Sequence, residues 1–439
     1  MKAVLRFLWP ATFWGKLGLL FVIAILFIAA AFIVVDRRSE SEIAAHREWL
    51  KERGFPSVPD DLFSSGISVP GDAAVPLAEA AAIAFRIDGS VESLLRGDPG
   101  DAPFSEQPLQ NPARRAAFLA AAAKEPAYEP ALESADRAAQ YYTVVAAASP
   151  PFNVSLAPVQ TYRSIARVEA ALCRAQSAAG DREGAVRRAL RLRRLADKFE
   201  AKEPFLIAYL ISQAIKGVAN AEINIALRTG PIGAAVRSEL DAGLATEENS
   251  RRAAARALAS EMACFRENAV GLFPWINVWP LSSLMKSDIA YGMATLRKAI
   301  ERHDRPNREL QDLSRELGAD IHTPFPGRHY ASAQLLPAFD AAHGAYCRGL
   351  AFSRALRILN ALQARGDLAL SFDQLGLPPD VLIDPFDGKP LRRKESKDGL
   401  LIYTVCRDLV DDGGAHDRAQ DWGSFPVPGP PTAKASAGK

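Results

Sequence analysis

The sequence predicts a mainly α-helical protein that is anchored to a membrane near its N-terminus and ends in a small α+β module. Three observations lead to this prediction. One uninterrupted apolar segment lies near the N-terminus, and the long middle part is rich in Ala, Leu and Arg, which favour helices. After Gly366 the composition changes to short apolar runs separated by turn residues. We therefore expect an N-terminal transmembrane helix, an irregular α-helical bundle or hairpin solenoid, and a small C-terminal α+β module.

Composition sets the broad class of the protein. The chain has 439 residues, of which 49% are hydrophobic and 24% charged, so it can bury a sizeable core. Its net charge of +2 is too close to balance to indicate a nucleic acid partner, and we predict none. The spacing of the cysteines contains no CxxC pair, which argues against a zinc site, and their pairing in an oxidising compartment stays open. The four cysteines are Cys173, Cys264, Cys347 and Cys406.

The apolar segment covers residues 17–35, beginning at Leu17 and ending at Val35, without a charged residue or a proline. A helix of this length crosses the roughly 30 Å hydrocarbon core of a bilayer, at about 1.5 Å per residue. Small residues at 29–31 offer a signal-peptidase site, but the apolar run continues beyond them and exceeds the usual signal-peptide core. We therefore predict an uncleaved, single-pass signal-anchor, with the lipid bilayer as its partner.

The flanking charges do not decide the orientation of this helix, because Lys and Arg residues lie on both sides of it. Large domains translocate largely regardless of charge, which places the long body outside the cytoplasm. We expect the protein in the inner (cytoplasmic) membrane, with the bulk of the chain on the periplasmic side.

Breaks in composition divide the chain into five parts. The membrane helix continues over residues 42–51 as a predicted stalk, and a Pro- and Gly-rich linker with a short helix at 77–85 follows. The predicted parts are an anchor (1–38), a stalk and linker (39–111), a helical body (112–366), a β-hairpin module (367–421) and a disordered tail (422–439). Body helices are predicted at 114–124, 130–147, 158–179, 183–201, 204–228, 234–268, 281–303 and 338–365.

Two segments of the body have distinctive patterns. Residues 171–190 resemble one tetratricopeptide-type helical hairpin, with small residues on both sides of a Gly-Asp turn, but no second copy follows at a fixed period. Residues 271–280 (GLFPWINVWP) carry an aromatic cluster. Such a cluster either contacts the membrane surface or a partner, or lies within the helical core, and we expect the core position.

The C-terminal part predicts a β-hairpin, with strands at 390–394 and 400–405 around a turn at 397–399. Four features occur in order after the helical body. They are Asp-Pro-Phe at Asp384, the Gly-Lys-Pro that follows, a strand that ends at Tyr403, and Asp-Asp-Gly-Gly beginning at Asp411. Residues 384–417 resemble the C-terminal module of type II secretion major pseudopilins, which is also found in uncharacterised membrane-anchored bacterial proteins with helical bodies.

The resemblance implies a calcium-binding loop. Calcium prefers flexible, carboxylate-rich loops, and the implied ligands are Asp408, Asp411, Asp412 and Asp417. The alternative is that these are ordinary residues of an exposed loop. The chain departs from the family at residues 406–409 (CRDL), which lack the glycines of the family turn, and it has no prepilin signature at its N-terminus. It should therefore not be assembled as a pilin subunit.

No catalytic motif is present in the sequence, so we do not predict an enzyme. Ser283 and Lys286 match an SxxK pattern without the Lys-Thr-Gly that would accompany it. We expect a membrane-tethered envelope protein of structural or interaction type, with envelope proteins as partners. The alternatives are a membrane-anchored hydrolase with its site within residues 261–343, or an accessory protein of a secretion system. The candidate side chains of that alternative site are Glu261, Glu267, His322, His329, Asp340 and His343.

Overall fold

The computed structural model describes residues 13–62, 72–95, 112–138, 157–203, 205–272, 278–312, 329–396, 399–414 and 421–424. It confirms a mainly helical chain with a long apolar N-terminal helix and a small antiparallel sheet near the C-terminus. The helices are α1 Phe13–Glu52, α2 Ala74–Leu95, α3 Pro112–Ala122, α4 Tyr128–Arg137, α5 Ala157–Ala178, α6 Arg182–Glu200, α7 Leu206–Thr229, α8 Ala234–Leu244, α9 Glu247–Leu272, α10 Leu281–Glu301 and α11 Tyr330–Arg365.

Helix α1 is long and apolar enough to cross a membrane, and no other helix in the described part of the chain passes the same test. Its apolar side chains from Leu17 to Val34 are mostly exposed, as expected for a surface that faces lipid. The predicted continuation beyond the apolar segment is present, since the helix runs unbroken to Glu52.

The predicted stalk, residues 42–51, packs against the body. Ile43, Trp49 and Leu50 are buried in a core shared with α9 and α10. The Trp49 ring lies between the guanidinium groups of Arg53 and Arg297, at 4.3 and 4.9 Å from its centre. Burial of apolar surface therefore joins the second half of α1 to the body.

The boundary placed between residues 111 and 112 is wrong, because α2 belongs to the body. It extends well beyond the predicted 77–85 and packs against α4 and α5. Ala80, Ala81 and Ala84 are completely buried there, since small side chains let two helices approach closely. The body thus begins before residue 112.

Most helices of the body lie where the sequence predicts them, with three differences. The predicted helix 234–268 is two helices, since α8 ends at Leu244 and α9 begins at Glu247. Helix α11 begins at Tyr330 and continues through Pro337, where the sequence predicts a start at 338; proline removes one backbone donor without always ending a helix. Helix α4 ends at Arg137, because Ala138 is extended, and residues 139–147 of the predicted helix lie outside the described residues.

Helices α5 and α6 form the predicted hairpin. Gly180 adopts φ +92° at the turn, a conformation that is unfavourable for residues with a side chain. The Asp181 carboxylate then accepts the backbone N–H of Gly184 at 2.9 Å and caps α6. Together with α2, α4, α7 and α8, the hairpin encloses one of the two helical cores; the other joins α1, α9, α10 and part of α11.

The C-terminal module contains a three-stranded antiparallel sheet of β1 Arg392–Ser396, β2 Gly399–Thr404 and β3 Trp422–Gly423. The predicted hairpin is present with Arg392 opposite Tyr403, and residues 397–398 of its turn lie outside the described part. The tail boundary before residue 422 is wrong, because β3 pairs with β2. A Cβ at Gly423 would lie 2.0 Å from the Ile402 carbonyl oxygen, so this close pairing requires glycine. The remaining predicted tail, 425–439, lies outside the described residues.

Candidate functional site

The junction between α1 and α10 contains the polar groups that lie nearest the apolar segment. Lys286 of α10 donates to Asp36 at 3.0 Å and to Glu40 at 2.6 Å, and the Ser283 hydroxyl donates to Asp36 at 3.2 Å. Ser283 and Lys286, which match the SxxK pattern, are therefore both bound to carboxylates of α1. These hydrogen bonds connect α10 to α1 at the point where the apolar segment ends.

The aromatic segment 271–280 follows α9 and precedes this junction. Residues 273–277 lie outside the described part of the chain, but Val278 and Trp279 are exposed. The expectation that the segment is buried in the core is wrong for these two residues. The Trp279 ring packs edge-on against Phe32 of α1, with 6.1 Å between the ring centres.

The glutamates of the predicted hydrolase site have separate structural partners. Glu261 is half-buried and accepts the backbone N–H of Leu206 at 3.2 Å, at the first turn of α7. Burial raises the pKa of Glu261. Glu267 accepts a hydrogen bond from Arg47 of α1 at 3.3 Å. Each carboxylate thus connects a neighbouring helix to α9.

The histidines of that region also have different surroundings. His343 is buried beside Cys347, with 3.4 Å between Nε2 and Sγ, and burial lowers its pKa to about 4. His329 packs on the Tyr291 ring, and its Nδ1 lies 3.9 Å from a carboxylate oxygen of Asp288. His322 and the side chain of Asp340 lie outside what the structure describes.

A buried polar network that the sequence analysis missed lies between α6, α7, α9 and α11. Lys216 and Glu200 form a buried ion pair, and Glu200 also accepts from Gln213 at 2.8 Å and from Ser250 at 3.1 Å. The cavity beside this pair measures about 20 Å³, which is enough for roughly one water molecule and too small for a substrate. The signal in the sequence is Lys216, which is the only charged residue within residues 206–221 of α7.

The arginine face of α6 is neutralised by acidic side chains. Arg188 and Arg191 both bind the fully buried Glu169, at 2.8 and 3.1 Å, and both also bind Glu129 of α4. Arg194 pairs with Asp136 at 2.6 Å. Because each arginine has a carboxylate partner, this face joins α4, α5 and α6 and does not present unpaired positive charge to an anion.

Asp384 is the centre of the C-terminal module. Its buried carboxylate accepts from the Phe386 N–H at 2.8 Å, the Thr404 hydroxyl at 2.5 Å and the Val405 N–H at 3.1 Å. Arg392 pairs with Asp384 and with Asp387, both at 2.5 Å. Burial raises the pKa of Asp384, while the Arg392 guanidinium favours its charged form. The residues that carry the pseudopilin resemblance thus hold the turn 384–391 against β2.

The Asp-rich loop follows β2. The predicted calcium ligands that the structure describes have different surroundings there. Asp411 accepts from the Tyr403 hydroxyl at 2.9 Å and the Gly413 N–H at 3.0 Å. Asp408 accepts from the Val410 N–H at 3.2 Å in a separate turn. Asp412 is exposed, and Asp417 lies outside the described residues.

Asp421 is an additional carboxylate at this loop that the sequence analysis did not select. It is buried, and it accepts the Gly414 N–H at 2.7 Å. Burial raises its pKa, and the negative charges of Asp411 and Asp412 raise it further. These carboxylates are chemically suited to calcium. However, no group of three or more His, Cys, Asp or Glu side chains in the described ranges is arranged to hold a metal ion.

Comparison with known proteins identifies no relative of this chain: no family model, curated protein or solved structure matches it. The resemblance of residues 384–417 to the pseudopilin module therefore remains an expectation from the sequence.

Proposed function

We propose that this protein is a membrane-tethered envelope protein of structural or interaction type, which holds its helical body at the membrane surface. The observation that supports this proposal is the continuity of α1. Its apolar part is exposed, and the part that follows packs one apolar face into the body without a break in the helix. A continuous helix whose second half is packed against the body by one face fixes the position of the anchor relative to the body.

The separate partners of Glu261, Glu267 and His343 favour an interaction protein over the alternative hydrolase. Glu261 binds a backbone N–H of α7, Glu267 binds Arg47 of α1, and His343 lies beside Cys347, so these contacts do not converge on a common cleft. Helical hairpins such as α5–α6 more often present surfaces to protein partners than preformed reaction centres. We accordingly propose that the partners are other envelope proteins.

We further propose that α1 lies in the inner membrane, with the body on the periplasmic side, as the size of the body favours. The full chain is fused after Lys439 either to alkaline phosphatase, which is active only outside the cytoplasm, or to a fluorescent protein that folds only inside it. We expect phosphatase activity without fluorescence. Fluorescence without phosphatase activity would reverse the orientation, and recovery of either fusion in the soluble fraction would contradict the anchor.

A role as an accessory protein of a secretion system would rest on the C-terminal module, and its most direct test is calcium binding by the Asp-rich loop. A ligand that binds only the folded state raises the unfolding temperature. If the loop binds calcium, millimolar calcium raises the unfolding midpoint of the full chain in detergent, and Asp411→Asn abolishes this shift. Asp373→Asn, which changes an exposed aspartate elsewhere in the module, serves as the matched control. An unchanged midpoint of the wild type with calcium would exclude this site.

A further inference from the structure

Exposed apolar side chains are concentrated at the beginning of α10. Outside α1, the described residues include nine exposed large hydrophobic side chains, and four of these lie within residues 278–284. They are Val278 at 64%, Trp279 at 54%, Leu281 at 42% and Leu284 at 39% exposure. No two of the other five lie within nine residues of each other in the sequence, and single exposed apolar side chains are normal for a protein surface.

Two contacts show which part of α1 lies beside the patch at residues 278–284. Trp279 packs on Phe32, which lies within the apolar segment 17–35. Ser283 and Lys286 bind Asp36, the first charged residue after that segment. At about 1.5 Å per residue, Phe32 lies roughly one helical turn inside the polar boundary that Asp36 marks. The exposed end of α10 is therefore at the same level as the last apolar turn of α1.

We propose that residues 278–284 enter the membrane interface and form a second contact of the body with lipid. This inference rests on the proposed membrane anchor, since Trp279 packs on Phe32 and reaches the bilayer only if the apolar part of α1 lies in it. Tryptophan favours the boundary between headgroups and hydrocarbon, where its ring is in an apolar environment and its N–H can still be hydrated. The ammonium group of Lys286, one to two turns further along α10, lies on the aqueous side of this boundary.

The second contact has a structural consequence. A single spanning helix allows the body to rotate about the helix axis and to tilt with it. Because the patch is on α10 and not on α1, its insertion selects one face of the body to lie against the bilayer. The remaining faces then stay available to partners in the aqueous compartment.

The test uses spin labels on the full chain in vesicles of phosphatidylcholine and phosphatidylglycerol. Single cysteines are introduced by Leu281→Cys in the patch, Ile28→Cys in the apolar part of α1, and Val75→Cys on α2. Ile28 and Val75 are 57% and 59% exposed, and the four native cysteines are buried, so labelling is directed to the introduced thiols. Collision rates with oxygen, which concentrates in lipid, and with a water-soluble nickel complex report the surroundings of each label.

We expect position 75 to collide with nickel, position 28 to collide with oxygen alone, and position 281 to lose most of its nickel collisions relative to position 75. Circular dichroism of each labelled chain verifies that the helical fold is retained. Nickel collisions at 281 equal to those at 75, with position 28 protected, would overturn the second contact and leave the anchor intact. Nickel collisions at position 28 equal to those at 75 would overturn the anchor and the second contact together.

Discussion

The two halves of α1 have opposite relations between polarity and burial. In the first half the side chains are apolar and exposed, and Phe27 is 74% accessible. In the second half most residues are polar, yet the few apolar ones are enclosed, and Leu50 is completely inaccessible. Both halves share one continuous run of helical backbone hydrogen bonds.

This difference supports the proposal that one helix serves two environments. The first half satisfies its backbone internally and requires no protein contacts, which suits a lipid environment. The second half follows the amphipathic rule for water-exposed helices, with one apolar face against a core and polar residues elsewhere. The change occurs at Asp36, where the ion pair with Lys286 connects α1 to α10.

Truncation of a side chain should have the largest effect in the second half. We expect Leu50→Ala to lower the free energy of unfolding of the body by about 2–5 kcal/mol, because it leaves a cavity in a packed core. The matched control is Phe27→Ala in the exposed half, which should leave this free energy nearly unchanged. Urea-induced loss of helical circular dichroism in detergent micelles measures both values. Equal losses for the two variants would contradict the assignment of the two halves to different environments.

The core that receives the second half of α1 should also be sensitive to acid through His343. Burial, assisted by the charge of His303, lowers the pKa of His343 to about 4, below the ordinary value of 6.5. The unfolded chain therefore binds this proton at higher pH than the folded chain. The contribution of neutral His343 to stability is fully present above pH 6.5 and is lost as the pH falls towards 4.

At about 1.4 kcal/mol per pKa unit, the whole effect of His343 amounts to roughly 3 kcal/mol. The free energies of unfolding of the wild type and of His343→Leu are compared between pH 7 and pH 4. As the pH falls from 7 to 4, we expect the free energy of unfolding of the variant to rise relative to that of the wild type. The comparison cancels the opposite contributions of Glu261 and Asp384, whose pKa values are raised by burial. A pH-independent difference would mean that His343 titrates normally in the folded protein.

The ion pair at the change between the two halves should contribute less. Asp36 and Lys286 are both partly exposed, so solvent screens their attraction. A double-mutant cycle with Asp36→Asn and Lys286→Met should give a coupling energy of at most about 1 kcal/mol. A coupling energy of zero would show that packing alone holds α10 against α1 at this level.

The smallest effect is expected one turn beyond Asp36, where Arg38 and Glu42 form an exposed pair four residues apart. Pairs of this kind stabilise helices by about 0.2–0.5 kcal/mol. Arg38→Ala should thus change the free energy of unfolding by no more than this amount. A larger loss would indicate that Arg38 contacts something other than Glu42, such as a lipid headgroup.

Local patterns in the sequence were sufficient for the helices, the α5–α6 hairpin and the β1–β2 hairpin. In each case the structure is formed by residues that are close together in the sequence, so the local pattern is enough to predict it. The Gly180-Asp181 turn that joins α5 to α6 is an example. The break between α8 and α9 was missed because residues 234–268 contain no proline and no glycine at the break itself. Helix α11 was predicted too short because Pro337 was assumed to end it.

The candidate sites were less predictable, because they depend on residues that are far apart in the sequence. The pairing of Lys286 with Asp36 spans 250 residues, and that of Arg354 with Glu247 spans 107. Similarly, Asp421 lies at the loop of Asp411 only because β3 returns to pair with β2. No periodicity in the sequence records such contacts, since they depend on how whole elements pack.

By itself, the sequence determined the membrane-crossing length of α1, the mainly helical class and the change of texture after Gly366. These properties follow from hydrogen bonding and hydrophobicity within short segments, which are the same in any packing arrangement. Only the tertiary structure decided that residues 39–52 and α2 belong to the body, and that Trp279 is exposed beside Phe32. Many Ala-rich helix faces in this chain are nearly equivalent as partners, so the choice among them depends on the complete packing of the core.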